Sequence, residues 1–573
     1  MMPEPLTNEE IATEAAAMMA EGGPFATVPM TIRGVDYPHV FAMSQASLRD
    51  VLALRGMQYK DREFIVYDDE RYTVGETWAK AMRFANWLKE EKGIGQGDRV
   101  AIAMRNYPEW PMAFLGIVAS GATVVPLNAW WQEGELRDGI GRAKAKVVVC
   151  DGKRFGYLEP RREELGLTLV TAREDVPGGD IRFDDIIADE KWPQTAPSVQ
   201  IDPESHFCLL YTSGSTGKPK GALLTHRSCV NAVLSWSFLL TLAQRRRPDV
   251  PFVPENPAVL LALPLFHVTA LHSTLMLSWL LGRKTVFMYR WDAEKAIDLI
   301  KKEDITNFVG VPTMAHELVQ AAKPGDLDDL ADIITGGAKR PASQVLQQVD
   351  KFPQIGISSG YGLTETNSLV AHITMGDFIN HPGSAGRAIP PINQIEVLNE
   401  KGEVQPRGTE GEICVKSPVT FHHYLEDEAA TERAFYPGGW FRTGDIGVLD
   451  EEGFITILDR AKDLIIRGGE NISCLEVENA LVDFGPVDEA AVFSVPDEIY
   501  GEIVGAAVYG KEGPVDLQAL RDHVASKLAP FKVPERLWLS PVPLPRGTTG
   551  KVDKRQIKMI ATQHPAHWSA ADA

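Results

Sequence analysis

Residues 211–221 form a polar loop whose residue types could bind an anion. They read Tyr-Thr-Ser-Gly-Ser-Thr-Gly-Lys-Pro-Lys-Gly and follow an apolar run at residues 207–210, which predicts a strand that ends in a loop. Glycines let backbone N–H groups turn toward an anion, and hydroxyl and ammonium groups add donors and positive charge. We therefore expect phosphate oxygens to be bound by Thr212, Ser213, Gly214, Ser215, Thr216, Gly217, Lys218 and Lys220.

This loop differs from a Walker P-loop, in which a glycine stands five positions before the Gly-Lys pair and Ser or Thr follows the pair. Thr212 occupies the first of these positions and Pro219 the last. A flexible Gly/Ser surface loop is the alternative interpretation. The two lysines and the preceding strand favour phosphate binding over that alternative.

A second polar motif covers residues 361–366 and reads Tyr-Gly-Leu-Thr-Glu-Thr. Glu365 is suited to a magnesium–phosphate complex, because Mg²⁺ prefers carboxylate and phosphate oxygens. Thr212 is our second candidate at the metal, Thr364 can donate to a phosphate, and Tyr361 offers a flat face for a purine beside Gly362. A strand end capped by hydroxyl residues is the alternative.

The elements that must position these motifs alternate along the chain. Helical apolar spacing at residues 78–92 and 110–120 alternates with short apolar runs at 99–104 and 122–127, which predicts mostly parallel sheets covered by helices. Residues 1–43 are expected to form an acidic helix followed by a loop. We predict an α/β protein: a large N-terminal domain (residues 1–458) with two helix-covered, mostly parallel sheets plus a small β-barrel from about Gly386, then a smaller mobile C-terminal α+β domain (residues 459–573).

Charge and cysteine content exclude several classes of protein. The net charge is −20, from 58 basic and 78 acidic residues, which disfavours nucleic acid and anionic membranes as main partners. The five cysteines are scattered, so their spacing indicates neither a disulfide framework nor a zinc site, and we expect a reducing, cytoplasmic compartment. No signal peptide is visible. The uncharged residues 257–282 could cross a bilayer, but Pro264, His267 and His272 interrupt them and favour a buried strand end and helix.

The order of these motifs resembles that of the adenylate-forming superfamily, which contains acyl-CoA synthetases, peptide-synthetase adenylation domains and firefly luciferase. The loop at 211–221 is similar to the phosphate loop of that superfamily, and residues 361–366 are similar to its adenine and magnesium motif. The resemblance spans about residues 48–552. It implies that a carboxylate is joined to the α-phosphate of ATP with release of pyrophosphate, that Mg²⁺ assists, and that coenzyme A then accepts the acyl group.

The same resemblance implies roles for further residues. Gly336, Gly337 and Ala338 would line adenine and the acyl pocket, although a tight turn explains the glycines equally well. Asp445, in the stretch 439–445, would bind the ribose; a hairpin turn is the alternative. Lys551 would bridge carboxylate and α-phosphate. Gly547 and Cys474 depart from the usual family residues, Thr and Pro, without removing a charged group.

Residues 459–463 resemble the hinge between the two domains of the family. Arg460 matches an arginine that contacts ribose and phosphate, and Lys462 matches the pivot; a solvated charge run is the alternative. Gly468 and Gly469 follow, and by resemblance their backbone covers the pantetheine channel after the C-terminal domain rotates.

His267 bears on the substrate. Peptide-synthetase adenylation domains usually have Asp at this place to hold an α-ammonium group, so His267 argues against amino acids. By resemblance it lies at the carboxylate end of the acyl pocket, and we group it with Lys551, Glu365 and Thr364 as a catalytic candidate; a core histidine is the alternative. Residues 268–271, 311–314 and 336–338 are apolar or small, which favours a medium- or long-chain fatty acid. A benzoate- or cinnamate-type aryl-CoA ligase and a different acceptor stay open, and a homodimer is compatible with the sequence.

Overall fold

The computed structural model describes residues 8–572 except 21, 24, 180, 213–218, 247–255, 339, 341, 382, 461–464, 468–469, 498, 512, 514, 548–550 and 564–567. The helices of the described residues are α1 (Asn8–Met18), α2 (Leu48–Gln58), α3 (Val74–Glu90), α4 (Glu109–Ser120), α5 (Glu133–Ala143), α6 (Gly152–Leu158), α7 (Phe183–Ala188), α8 (His226–Arg246), α9 (Leu277–Leu281), α10 (Ala293–Lys302), α11 (Pro312–Ala321), α12 (Ala342–Lys351), α13 (Met375–Asn380), α14 (Glu428–Arg433), α15 (Cys474–Val482), α16 (Leu517–Lys527) and α17 (Lys554–Gln563).

The strands of the described residues are β1 (Thr27–Ile32), β2 (Val35–Phe41), β3 (Glu63–Tyr67), β4 (Glu70–Thr73), β5 (Arg99–Ala103), β6 (Thr123–Pro126), β7 (Val147–Cys150), β8 (Thr168–Thr171), β9 (His206–Thr212), β10 (Lys220–Thr225), β11 (Ala258–Leu261), β12 (Lys284–Phe287), β13 (Asn307–Gly310), β14 (Asp332–Gly336), β15 (Gly356–Leu363), β16 (Ser368–Thr374), β17 (Arg387–Ala388), β18 (Gln394–Leu398), β19 (Gly411–Lys416), β20 (His423–Tyr424), β21 (Phe435–Tyr436), β22 (Trp440–Leu449), β23 (Ile455–Arg460), β24 (Ile465–Arg467), β25 (Glu470–Ile472), β26 (Glu489–Asp497), β27 (Gly501–Tyr509), β28 (Arg536–Leu539) and β29 (Ser569–Asp572).

Two large sheets organise the longer part of the chain. One has the order β20-β10-β9-β6-β5-β7-β8, and the other has the order β17-β16-β15-β14-β13-β11-β12-β3-β4. Strands β9 to β8 of the first and β15 to β3 of the second run parallel to their neighbours, while the outer strands are antiparallel. The predicted α/β fold with two mostly parallel sheets is confirmed.

Local sequence signals explain where individual helices begin and end. Helix α3 begins after Thr73, whose hydroxyl accepts a hydrogen bond from the Glu76 backbone while the Glu76 carboxylate accepts one from the Thr73 backbone. Helix α4 ends at Gly121, whose φ of +82° suits a residue without a Cβ. These signals agree with the helices predicted at residues 78–92 and 110–120.

Residues 27–41 correct one expectation. The sequence predicted a loop after the first helix, but β1 and β2 pair as an antiparallel hairpin there. Both strands were missed because they contain Pro29 and Pro38. Proline has no N–H to donate to a neighbouring strand, so it normally argues against a strand. In a two-stranded sheet each strand is an edge, so both prolines can face away from the partner.

The chain divides into two compact units. The first comprises Met1–Arg340, Gln344–Ile395 and Val415–Phe441, and the second comprises Pro341–Ser343, Glu396–Cys414 and Arg442–Ala573. The domain boundary near residue 458 stays a prediction. In the second unit, β22 pairs with β23, and a six-stranded sheet has the order β25-β24-β27-β28-β29 with β26 beside β27.

Buried apolar side chains fill the core of each unit. In the first unit, one cluster joins strands β5 to β9 through Val125, Val148 and Leu209; in the second, Ile465, Val504 and Leu537 are central. All five cysteines are buried as free thiols. Among the described helices, none has both the length and the apolar character needed to cross a bilayer.

Candidate active site

Four neighbouring parallel strands of the nine-stranded sheet place the predicted motifs at one edge. In the order β15-β14-β13-β11, Gly336 is in register with Gly360, Gly310 with Thr335, and Leu261 with Val309. Because parallel strands end at the same edge, the segments that follow them meet there, which is where open α/β sheets bind ligands. These segments are residues 263–267, 311–314, 336–338 and 361–366.

Ser213 to Lys218 of the predicted phosphate loop lie outside the described residues, while both ends of the loop lie within them. Thr212 ends β9 and lies opposite Lys220, which begins β10. Helix α5 fixes both ends: the Tyr211 hydroxyl donates a 2.7 Å hydrogen bond to the Gly139 carbonyl, and Arg142 Nη1 donates a 2.7 Å bond to the Pro219 carbonyl. The sequence analysis missed Arg142, whose partner is 77 positions away.

Glu365 lies in a single helical turn, Thr364–Thr366, directly after β15. The side chain is buried, and its Oε1 accepts a 2.7 Å hydrogen bond from the Tyr424 hydroxyl. The Glu365 carbonyl accepts a 2.7 Å bond from the Phe421 backbone. Burial, with the carboxylate of Glu365 next in importance, raises the pKa of Tyr424, so this hydroxyl stays protonated and can donate.

Tyr424 connects the loop end and the carboxylate. The Lys220 ammonium lies 4.8 Å from the centroid of the Tyr424 ring, a cation–π distance. The hydroxyl at the other end of the same ring contacts Glu365. The end of the phosphate loop and the predicted metal carboxylate are therefore held by one side chain. No motif pointed to Tyr424 in the sequence.

The glycines at this edge of the sheet are explained by different physical constraints. A Cβ at Gly362 would lie 1.7 Å from the Ser368 carbonyl oxygen, so β16 alone requires glycine there. Gly337 has a φ of +78°, which glycine adopts without strain, and both Gly337 and Ala338 are exposed. Gly336 ends β14, and a Cβ there would meet the Gly360 carbonyl at an ordinary 3.5 Å. Tyr361 is buried in β15 opposite Ala371.

His267 is half-buried just before a π-helical segment, Thr269–Met276. Segments of π-helix are rare in proteins, and those that occur often lie at functional sites. Asn106 fixes the backbone that precedes this histidine. Its Nδ2 donates a 2.8 Å hydrogen bond to the Leu263 carbonyl, and its Oδ1 accepts a 3.0 Å hydrogen bond from the Leu265 backbone N–H. The sequence analysis missed Asn106.

His272 joins the π-helical segment to the turn that carries Glu365. Its Nδ1 lies 3.2 Å from the carbonyl oxygen of Asn367, the residue that ends the turn with a φ of +53°. Burial lowers the pKa of His272 to about 3, so the ring is neutral near pH 7. Asn367 also donates a 2.7 Å bond from Nδ2 to the Val419 carbonyl.

In the second unit, Asp445 and Arg460 lie opposite each other in β22 and β23. Asp445 is buried, and its backbone donates a 3.1 Å hydrogen bond to Thr443 Oγ1. The hairpin-turn alternative for Asp445 is wrong, because the residue lies inside a ten-residue strand. The structure thus pairs the two residues that the resemblance assigns to the ribose.

Lys551 is exposed in the second unit, at the end of a loop closed by a bridge between Arg546 and Val552. The Lys551 carbonyl accepts a 2.8 Å hydrogen bond from the Gly547 backbone. Lys462, Gly468 and Gly469 lie outside the described residues. The roles assigned to all these residues stay predictions.

Two family models and several known proteins match this chain. The family model described as AMP-binding enzyme matches residues 52–425, and the model described as AMP-binding enzyme C-terminal domain matches residues 476–551. The chain is 33% identical over 496 residues to the long-chain-fatty-acid–CoA ligase FadD13 of Mycobacterium tuberculosis, covering 86% of this chain and 93% of the relative.

Two further matches differ in the substrate that they name. The chain is 28% identical over 499 residues to 4-coumarate–CoA ligase 3 of Oryza sativa subsp. japonica, covering 85% of this chain and 87% of the relative. Its fold is similar to that of o-succinylbenzoate coenzyme A synthetase (MenE) from Bacillus subtilis in complex with ATP and a magnesium ion, with a TM-score of 0.75 and 27% identity over 89% of this chain and 99% of the other.

Proposed function

Because the chain belongs to the AMP-binding enzyme family and is an AMP-forming acid–CoA ligase, we propose that its acid substrate is an apolar carboxylic acid, with a medium- or long-chain fatty acid favoured. One observation carries this proposal. Residues 268–271, 311–314 and 336–338 contain no charged side chain, and they follow the ends of β11, β13 and β14, which are parallel neighbours. A relative named as a long-chain-fatty-acid–CoA ligase supports it.

The proposed reaction has two steps. A carboxylate oxygen of the acid attacks the α-phosphorus of ATP, and pyrophosphate leaves. The sulfur of coenzyme A then attacks the acyl carbonyl, AMP leaves, and the thiol proton passes to solvent. The protein contributes mainly by positioning the reactants and by neutralising phosphate charge.

In this proposal the first unit binds the phosphates. The loop donors would hold the phosphate oxygens of ATP between the ends that α5 fixes, and Thr364 would donate to a phosphate. Glu365 fits a magnesium site, because Mg²⁺ is commonly held by one or two carboxylates plus phosphate oxygens. Tyr424 occupies Oε1, and a carboxylate has a second oxygen to offer. Bound Mg²⁺ would supply neutralisation of the phosphate charge.

The second unit supplies the remaining groups. Asp445 would accept hydrogen bonds from the ribose hydroxyls, Arg460 would contact ribose and phosphate, and Lys551 would bridge the carboxylate and the α-phosphate. We propose that residues 459–573 rotate between the two steps, so that the backbone at Gly468 and Gly469 covers the thiol channel of coenzyme A. Tyr361, Gly336, Gly337 and Ala338 would line the adenine.

His267 would lie at the carboxylate end of the acid. Asn106 holds the backbone that leads to this histidine through hydrogen bonds to Leu263 and Leu265. An imidazole there supplies no negative charge to pair with an α-ammonium group, which argues against amino acids. We further propose a cytoplasmic role in fatty acid metabolism, with no nucleic-acid partner.

The test is isotope exchange between pyrophosphate and ATP, run without coenzyme A. The substrates are fatty acids of graded length, benzoates, cinnamates and amino acids. Each buried CH₂ contributes about 0.8 kcal/mol, or roughly fourfold in affinity, so exchange should improve with chain length until the pocket ends. An optimum on one aryl acid would replace the fatty acid by an aryl substrate, and exchange with amino acids alone would contradict the pocket argument.

A further inference from the structure

Three histidines of the first unit meet beside strands β9 and β10, toward the end of these strands that is remote from the predicted phosphate loop. His206 begins β9, His422 directly precedes β20, and His423 begins it. The central strand β10 brings them together, because it pairs Thr225 with His206 on one side and Leu223 with His423 on the other. The His422 backbone also donates a 2.8 Å hydrogen bond to the Leu223 carbonyl.

The imidazole nitrogens converge. Each histidine offers one ring nitrogen, Nδ1 or Nε2, and these three nitrogens all lie within 4.8 Å of one another. His206 Nε2 and His422 Nδ1 are 2.7 Å apart, and the His422 and His423 ring centroids are 4.6 Å apart. Tetrahedral zinc with Zn–N distances of about 2.0–2.1 Å requires nitrogens roughly 3.3–3.4 Å apart. The 2.7 Å separation is shorter than this distance, so the ring nitrogens of His206 and His422 must move apart before both can bind one zinc ion.

Charged groups around the cluster have both signs. Arg33 and Arg99 are positive, while Glu428 acts on His423 with the opposite sign. The Arg33 guanidinium donates 2.6 Å and 3.2 Å bonds to the Phe421 and Thr420 carbonyls, which hold it in place. Fixed positive charge opposes the binding of a dication, and it favours an anion or hydroxide as a further ligand once a metal ion is bound.

We propose that His206, His422 and His423 form a zinc(II) site with three imidazole ligands and an open fourth position. The donor set is nitrogen only, which suits Zn²⁺ and disfavours Mg²⁺, a cation that takes oxygen ligands. This site is therefore separate from the magnesium carboxylate Glu365 and does not rest on the proposed substrate. The alternative is a purely structural hydrogen bond between His206 and His422.

The test uses the full-length protein without an affinity tag, stripped of metal and free of nucleotide. ZnCl₂ is titrated against a chromophoric chelator. We expect one tight site per chain. The zinc affinity should fall at least tenfold in each of the single variants His422→Gln and His423→Gln. The matched control is His39→Gln, an exposed histidine of the same unit, which should bind as the unaltered protein does. Equal zinc affinity in all four proteins would overturn the proposal.

A second measurement does not depend on any variant. X-ray absorption at the zinc edge of the loaded protein should give imidazole scattering from three nitrogens at about 2.0–2.1 Å. A first shell of oxygen or sulfur would overturn the proposal, as would failure of the unaltered protein to retain zinc. An excess of Mg²⁺ should leave the zinc bound; displacement by Mg²⁺ would place the ion at an oxygen site instead.

Discussion

The hydroxyl of Tyr424 donates a 2.7 Å hydrogen bond to Oε1 of Glu365. Tyr424 belongs to the short edge strand β20 of one sheet, and Glu365 to the turn that follows β15 of the other, so the bond joins elements of two different sheets. The bond fixes one oxygen of the carboxylate and directs the other. We infer that Tyr424 positions Glu365 for its proposed work on the metal–phosphate complex.

Tyr424→Phe should raise the Mg²⁺ concentration needed for half-maximal pyrophosphate exchange. A hydrogen bond to a charged group contributes about 1.5–3 kcal/mol, so we expect a change of at least tenfold. The measurement is a magnesium titration at saturating ATP and acid. Tyr157→Phe is the control, because that hydroxyl makes an exposed 3.2 Å contact with Gln132. An unchanged titration in Tyr424→Phe would contradict the positioning role.

Glu365→Gln should raise the magnesium requirement more than Tyr424→Phe does, because the charge itself is lost while the amide oxygen can still accept from Tyr424. Combining the two changes tests whether they act together. Residues that act through one contact give less than the sum of the single effects. Strictly additive effects would show that Tyr424 acts independently of Glu365.

Lys551→Ala should stop adenylate formation and spare thioester formation. Lys551 is exposed, and the resemblance to the family assigns it to the first step. Purified acyl-adenylate with coenzyme A should still give thioester at a near-normal rate. Lys401→Ala, another exposed lysine of the second unit, is the control. Adenylate formation at the normal rate in Lys551→Ala would refute the assignment.

Asn106→Asp should weaken use of the acid more than use of ATP. The variant keeps the acceptor for the Leu265 backbone and loses the donor to the Leu263 carbonyl, leaving a buried group without its partner at a cost of about 1–3 kcal/mol. The segment that loses this hydrogen bond leads to His267. KM for the acid and KM for ATP are measured separately, with Asn399→Asp as the surface control. Equal changes in both constants would indicate general destabilisation.

His226→Leu should reduce the acid sensitivity of the first unit. Burial, with Arg49 next in importance, lowers the pKa of His226 to about 3, and neither ring nitrogen has a hydrogen-bond partner among the described residues. The unfolded chain binds a proton near pH 6.5 and the folded chain does not, so this contribution to stability is full above pH 6.5 and is lost as the pH falls toward 3. At one pH unit below 6.5 the loss is about 1.4 kcal/mol.

The measurement for His226→Leu is the thermal unfolding midpoint between pH 5 and 7.5. The slope should be shallower in the variant than in the unaltered protein. His381→Leu, a half-buried histidine of the same unit, should retain the original slope. Parallel slopes in all three proteins would show that His226 does not contribute.

Local patterns in the sequence predicted the alternation of helices and strands because apolar runs such as residues 99–103 become buried strands wherever they lie. The hairpin at residues 27–41 was not predicted, because a proline within a short run of residues argues against a strand. Contacts across the fold escaped as well. Asn106 lies 157 positions from Leu263 and Tyr424 lies 59 positions from Glu365, so no spacing rule could connect them. The three-histidine cluster was missed for the same reason, because 216 positions separate His206 from His422.

The buried cysteines make this protein a clean background for site-specific labelling. Burial raises the pKa of Cys150, Cys208, Cys229 and Cys414, and all five thiols are inaccessible, so a maleimide reagent should leave the folded chain unmodified. A cysteine placed at an exposed position in each unit, such as Met57 and Val542, would then carry a donor and an acceptor dye. Single-molecule energy transfer between the dyes would test the proposed rotation of residues 459–573 during turnover, without removal of any native thiol.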